Sequence, residues 1–336
     1  MSMVVASCLD RDPSCLIVGA GITGLMAARE LRRLGIQVLV LDKARGVGGR
    51  MATRRFDGGV FDHGTQYFAP SSAWFQSRIA EWIDGGVTKE WFRVRSYEMD
   101  ERFLSAARYC GYPAMTSIPK LLAEGVPVHT GERVTRLDVV DGCWRATTEA
   151  DTTYSARSCL LTPPVPQVLE LLEASGVALD DELEETLTDL VYEPCITLMV
   201  VCENTPMMPE NGILEFERGD IRRITDNQRK GISREAAAVT IHATGAFSAA
   251  HFADDDETLA RYLLDEALPI IRCGAVSWQL HRWRYSQILT PHPEPYLHIS
   301  ETPPLAVAGD AFGINGVEGA ARSGMEAARM MLRHLQ

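Results

Sequence analysis

Glycines at 19, 21 and 24, in the run Gly19-Ala20-Gly21-Ile22-Thr23-Gly24, follow directly on the apolar stretch Cys15-Leu16-Ile17-Val18. Small residues at this spacing suit one kind of chemistry, the close approach of backbone to a pyrophosphate. Gly19 permits a tight strand-to-helix turn, Gly21 removes a side chain where phosphate must come near, and Gly24 lets helix and strand pack closely. Ala20, Ile22 and Thr23 complete the contact region, and the helix N-terminus offers free N–H groups to the phosphates. Asp42 falls 18 residues beyond Gly24, at the end of the apolar run 36–41. A carboxylate there can accept hydrogen bonds from a ribose diol. The alternative, a glycine-rich turn in an ordinary α/β domain, leaves Asp42 unexplained.

A second cluster, Arg45-Gly46-Val47-Gly48-Gly49-Arg50, comes just past Asp42. A simple nicotinamide domain needs no such loop. Backbone passing over the ribityl-pyrophosphate of FAD does need small residues, with a cation for the phosphates. Arg50 suits that task, with Lys43, Arg45 and Gly49 in the same loop; Arg54 and Arg55 read as a solvated basic face. A third region, Gly309-Asp310 followed by Asn315-Gly316-Val317-Glu318-Gly319-Ala320, lies near the C-terminus. Alone, Gly309-Asp310 is a turn. After two flavin-type loops it reads as a third contact, with Asp310 toward the ribityl chain. Gly316, Val317 and Ala320 then belong to a helix whose positive end can face the flavin edge that becomes anionic on reduction.

The elements that must position these residues follow from periodicity. A strand at 15–18, an amphipathic helix at 22–34 and a strand at 36–41 form the first βαβ unit. A short helix is expected at 117–124, with Ser117 at its start and Pro119 in its first turn. Strands are expected at 126–129, 133–140 (including Val134, a further expected cofactor contact), 144–148, 158–161 and 305–308, with Asp141-Gly142 as a hairpin turn. A final helix runs from Val317. Residues 192–202, 213–216, 238–242 and 276–284 read as strands of a sheet over the flavin, and 251–272 as helical. The expected fold class is α/β, a Rossmann-type FAD-binding domain (14–65, 117–165 and 300–336) with an inserted mixed α+β substrate domain (66–116 and 166–299).

The bulk numbers exclude several classes. The 336 residues are 46% hydrophobic and 23% charged, as in ordinary globular proteins. A formal charge of −12 argues against nucleic acid as a partner. The acidic concentrations at 180–185 and 254–257 read as loops or helix starts. Eight cysteines show no metal-ligand spacing, so buried thiols and no metal are expected. Residues 1–13 lack the pattern of a secretory leader, and no apolar run approaches membrane length, so a soluble cytoplasmic protein is expected. No feature specifies an oligomeric state.

Four groups of residues, Gly19–Gly24, Asp42–Arg50, Gly64-Thr65-Gln66-Tyr67-Phe68 and Gly309–Ala320, resemble the amine-oxidase-type branch of FAD enzymes. More narrowly, with Asp226-Asn227, Ile241-His242-Ala243-Thr244 and Arg282-Trp283-Arg284-Tyr285, the chain resembles the renalase-like enzymes over nearly its whole length beyond the first dozen residues. That resemblance implies oxidation of 2- and 6-dihydro isomers of NAD(P) to NAD(P)+ by hydride transfer to flavin N5. Oxygen then reoxidises the flavin, giving hydrogen peroxide. By position, Gly64, Thr65, Gln66 and Tyr67 would contact cofactor, and Tyr67, Asn227, His242 and Trp283 would line the substrate face.

The residues themselves agree in part. Only one dinucleotide fingerprint is present, which favours an oxidase reduced directly by its substrate. A dihydropyridine needs a flat ring held against the flavin more than it needs acid–base groups. Tyr67, Tyr97, Trp283 and Tyr285 are candidate platforms. His242, in an apolar strand, reads either as a satisfied core residue or as a hydrogen-bonding contact to the substrate. Many amine-oxidase relatives place a lysine near N5. The four lysines here are Lys43, in the cofactor loop, Lys89, Lys120, and Lys230 in the polar turn 226–231, none in a buried strand. Cys195 reads as a buried structural thiol, so the FAD is expected to be noncovalent. Arg222, Arg223 and Arg229 read as a solvated loop or as phosphate contacts. Two alternatives remain: an FAD amine oxidase or desaturase on a small organic substrate, and a noncatalytic flavoprotein that senses a nucleotide.

Overall fold

The computed structural model describes residues 13–94 and 106–335; Tyr97 and Cys8 lie outside them. Cys15–Val18 (β1) is buried throughout, Ile22–Arg33 (α1) turns Leu25, Met26, Ala28 and Leu31 inward, and Val38–Asp42 (β2) returns beside β1. Then come the hairpin of Thr53–Phe56 (β3) and Gly59–Asp62 (β4), the helix Ala73–Asp84 (α2), the antiparallel pair Thr88–Val94 (β5) and Ala106–Gly111 (β6), and Ser117–Ala123 (α3). Val128–Thr130 (β7), Val134–Val140 (β8), Cys143–Thr148 (β9), Thr153–Ala156 (β10) and Ser158–Leu161 (β11) lead to Val165–Ser175 (α4) and Asp181–Thr188 (α5). Tyr192–Cys202 (β12), Ile213–Glu215 (β13), Ile221–Asp226 (β14) and Ala238–Ala243 (β15) precede Gly245–Ala250 (α6) and Asp256–Ile271 (α7). Ala275–Ile288 (β16), Leu297–Glu301 (β17), Pro304–Val307 (β18) and Gly316–Leu335 (α8) follow.

These elements gather into two units. The first takes the segments up to Gly49, from Pro119 to Val191 and from Ile288 onward; the second takes Arg50–Ile118 and Tyr192–Gln287. The sequence places 50–65 with the first unit, and 166–191 and 288–299 with the second. Packing decides otherwise. Phe61 of β4 is buried with Met199, Val201 and Ala238 of the second unit. Ser175, at the end of α4, accepts a 2.8 Å hydrogen bond from the Leu137 N–H in β8, which ties that helix to the first unit.

The first unit is built on a sheet in the order β17-β18-β11-β1-β2-β7, parallel except for β17. Leu16 stands opposite Leu39 on one side and Cys159 on the other. Such strands are buried on both faces, which explains their unbroken apolar runs. The chain goes from β1 through α1 to β2 on one side, while β11 lies on the other. The strand order therefore reverses beside β1, and in open α/β sheets ligands bind at the strand C-termini where this happens. Asp141 and Gly142, both at positive φ (52° and 75°), make the two-residue turn between β8 and β9.

The second unit carries a sheet in the order β13-β14-β15-β12-β16, with α7 packed on it through Leu259, Leu263 and Ala267. Its β14 was not legible in the sequence. Arg222 and Arg223 are strand residues, each ion-paired, to Glu193 (3.4 Å) and to Glu215 respectively, and not part of a loop. The acidic concentrations are helix starts, with Asp180 capping α5 and Asp255 capping α7.

Candidate functional site

The two glycine clusters meet in the first unit. Gly48 donates its N–H to the Ala20 carbonyl at 2.9 Å, and a Cβ on Gly49 would lie 3.7 Å from the Gly21 Cα. Gly19 sits at φ +105°, and a side chain there would meet the Thr162 hydroxyl at 2.5 Å. A Cβ on Gly24 would come within 2.0 Å of the Gly19 carbonyl oxygen, so only glycine permits this turn. Gly21 differs: nothing lies within 4 Å of its missing Cβ. It also begins α1 without any side-chain cap, which leaves the first N–H groups of the helix available to an anion.

Asp42 holds this loop together. Its Oδ2 accepts from the Ala20 N–H at 2.6 Å, and its Oδ1 from the Ala44 N–H at 2.7 Å. A carboxylate has about four lone-pair sites, so acceptor capacity remains for ribose hydroxyls. Lys43 donates to Gln167 at 2.8 Å, Arg45 is exposed, and Val134 opens β8 half-buried.

The C-terminal contact region is in the same unit. Gly309 donates to the Ser323 hydroxyl at 2.9 Å, and Gly309 and Gly316 both face open space. Ile22, Thr23 and Ala320 are buried, while Asp310 and Val317 are half-buried. A Cβ on Gly324 would lie 2.1 Å from the Thr23 carbonyl oxygen, so α8 crosses the first turn of α1 in backbone contact. Open space at Gly21, Gly309 and Gly316, together with an uncapped helix start, fits a dinucleotide of FAD type.

The second unit holds the remaining expected residues. Arg50 is half-buried and donates to the backbone carbonyls of Ser286 (3.2 Å) and Tyr285 (3.4 Å), with its guanidinium 5.9 Å from the Tyr192 ring. Its own carbonyl accepts from the Thr65 N–H at 2.9 Å, and Gly64 is so close to it that a Cβ would stand at 2.2 Å. Gln66 is buried and donates to the Asp62 and Gly64 carbonyls (2.5 and 3.2 Å).

Two expected substrate residues converge on one atom that the sequence did not single out. The His63 carbonyl accepts from the Trp283 indole N–H at 2.8 Å and lies 3.3 Å from His242 Nε2. His63, His281 and Trp283 form a ring cluster with centroids 4.3–5.1 Å apart. Burial pushes His63 and His242 down to about 3, and His281 to about 4, with Arg54 or Arg223 nearby acting the same way. All three are therefore neutral at pH 7. Asn227 is buried and donates to Thr240 at 2.9 Å, while its Oδ1 and the Nδ1 of His242 have no hydrogen-bond partner among the described residues.

Tyr67 stands in a different group. Its hydroxyl donates to Glu215 at 3.1 Å and accepts from Arg223 at 3.3 Å, and its ring meets Phe92 edge-on at 5.5 Å. Burial raises its phenol above the usual value, against the opposing pull of Arg223.

Lys230 lies in the polar turn expected at 226–231, but that turn is buried at Asp226, Asn227 and Lys230. The lysine is fully buried, 2.8 Å from Asp62 Oδ2 and 3.4 Å from Gln66 Oε1, with its ammonium 4.9 Å from the Trp91 ring. Asp62 and His63 form a polar pair at the end of β4 just before Gly64, and that pair was the overlooked signal. Cys195 is a buried strand thiol pushed up to about 11 by desolvation.

Residues 17–81 match the NAD(P)-binding Rossmann-like domain, and residues 79–332 match the flavin containing amine oxidoreductase model. Renalase of Mus musculus is 25% identical over an alignment covering 95% of this chain and 99% of its own. Lysine-specific histone demethylase 1 homolog 1 of Arabidopsis thaliana is 49% identical, but over only 47 residues, 14% of this chain and 6% of that protein. Among solved structures, one described as a protoporphyrinogen oxidase from Exiguobacterium sp. 255-15 superposes with a TM-score of 0.74 at 14% identity, covering 97% of this chain and 100% of that one. A putrescine oxidase bound to putrescine gives 0.70 at 16%, covering 96% and 99%. The amine-oxidoreductase model spans well over half of the residues, and the glycine loops ahead of it, within the Rossmann-like match, are built as a dinucleotide needs them: the chain belongs to the flavin-containing amine oxidoreductases, an FAD-dependent oxidoreductase similar along nearly its full length to renalase.

Proposed function

We propose that the protein oxidises 2- and/or 6-dihydro isomers of NAD(P) to NAD(P)+, with oxygen as the final acceptor and noncovalent FAD. The observation that carries this reading is the neutral, hydrogen-bonding character of the Asn227, His242, His63 and Trp283 group. A dihydropyridine loses a hydride without first losing a proton, so its oxidation calls for orientation and not for a base poised near pH 7. In this reading the unpartnered Asn227 Oδ1 accepts from a carboxamide N–H of the substrate, and His242 Nδ1 makes a second contact. Trp283, pinned through its indole N–H, offers a flat apolar face. The match to renalase along nearly the full length of both chains supports the same substrate class. When bound, FAD accepts the two electrons and returns them to oxygen as hydrogen peroxide.

The test is anaerobic mixing of the purified yellow protein with each dihydro isomer, read at the flavin band at about 450 nm. Rapid bleaching, with recovery and peroxide on admitting air, is expected. No bleaching with any isomer would end this reading. One observation favours a second, amine oxidation: the buried Lys230 is the kind of lysine that the sequence reading did not find for this chain. Bleaching by small amines, and not by dihydronicotinamides, would select it.

A further inference from the structure

We propose that His298, Glu301 and His334 form a binding site for a divalent cation of the zinc type, in the first unit and apart from the glycine loops. His298 lies in β17, Glu301 ends that strand, and His334 belongs to the last turn of α8. The Nδ1 of His298 is 3.3 Å from Glu301 Oε1, and the Nδ1 of His334 is 3.3 Å from Oε2. One ligand atom from each of the three residues falls within 4.8 Å of the others.

The spacing is informative. A charge-assisted hydrogen bond between imidazolium and carboxylate closes to about 2.7–2.9 Å. Both imidazole nitrogens stand farther off, at 3.3 Å and each beside a different oxygen of Glu301, so the carboxylate faces both rings and the three donors converge without closing on one another. The two imidazoles are stacked, with centroids 5.0 Å apart and planes 14° apart. Two imidazolium rings in that arrangement would repel, whereas two neutral rings can each offer a lone pair to one ion.

Two imidazoles and one carboxylate make a borderline donor set of the kind zinc takes, with a fourth position left for water. The C-terminal end of α8 adds favourable negative potential for a cation. Glu301 is largely exposed and both histidines are about three-quarters covered, so the ion would have a route in from solvent. Bound there, it would clamp the last turn of α8 to the β17–β18 hairpin. The sequence gives little warning of this. His298 and Glu301 are three residues apart, and His334 arrives only through the path of α8.

The experiment uses tag-free holoenzyme, treated with EDTA and dialysed, then titrated with Zn2+ alone by calorimetry and with Co2+ alone by visible absorption. One ion per chain in the micromolar range or tighter is expected, with a tetrahedral-type cobalt spectrum. His334→Ala and Glu301→Gln should each weaken binding at least tenfold, and His129→Ala, at a distant exposed histidine, should leave it unchanged. His334 lies on a helical end turn, so its variant should keep its flavin spectrum and melting temperature. No stoichiometric binding, or equal affinity in the wild type and His334→Ala, would overturn the proposal.

Discussion

Burial keeps His63, His242 and His281 uncharged, and this has a measurable cost in acid. In the unfolded chain each imidazole takes up a proton near its ordinary value of about 6.5. In the folded chain His63 and His242 wait until about 3. Between those values the unfolded state binds more protons, so their contribution to stability is complete above pH 6.5 and is lost progressively toward pH 3. The urea midpoint of the holoenzyme should therefore fall over that range. His242→Gln, which keeps a donor toward the His63 carbonyl but does not titrate, should make the slope shallower. An unchanged slope would mean that His242 titrates normally. Lys230 and Asp62 form a fully buried pair, and Lys230→Met should cost about 3–5 kcal/mol by leaving the Asp62 carboxylate without its cation. Adding Asp62→Asn should recover part of that loss in chemical denaturation. A loss below about 1 kcal/mol in the single variant would mean that water already reaches the pair.

The glycine turn between β1 and α1 separates two roles within one motif. Gly24→Ala would force a Cβ against the Gly19 carbonyl oxygen, so it should destabilise the unit by about 1–3 kcal/mol and lower flavin content. Gly21→Ala meets no protein atom, and its φ of −74° suits alanine. That variant should melt like wild type without added FAD, yet retain far less flavin, as read from the ratio of visible to ultraviolet absorbance. Equal retention would show that the phosphates pass elsewhere. The contrast also explains what the sequence made legible. The βαβ unit, the Asp141-Gly142 turn and β12 follow from neighbours a few residues apart. By contrast, β14 is masked by its two arginines, whose ion pairs with Glu193 and Glu215 exist only after folding. The burial of Lys230 depends on Asp62 and Trp91, both far away along the chain, and no local pattern around 226–231 announces it. His63 escaped for a similar reason. Its carbonyl matters because Trp283 and His242 come to it.

Taken as a whole, the described residues present no helix long and apolar enough to cross a membrane. Cys195, the cysteine considered for a covalent flavin bond, is buried within β12 and held protonated by desolvation. Precipitation with acid should accordingly release all yellow colour to the supernatant. Colour retained in the pellet would place a covalent bond at some other residue. Added FAD should raise the melting temperature, since a ligand at a hundred times its Kd adds about 2.7 kcal/mol to the state that binds it.

The backbone contact between Gly324 of α8 and Thr23 of α1 bears on how the polypeptide is made. During translation β1 and α1 emerge before their native partners: β11, which pairs with β1, follows near the middle of the sequence, and α8, which packs on α1, comes at its end. At roughly 5–20 residues per second the wait between α1 and α8 is on the order of tens of seconds. Through that interval the apolar side of α1, with Leu25, Met26 and Leu31, has no native partner helix. The nascent protein is thus a natural client for chaperones that shield unpaired apolar surface, and its yield in cells should depend on them more than its final stability would imply.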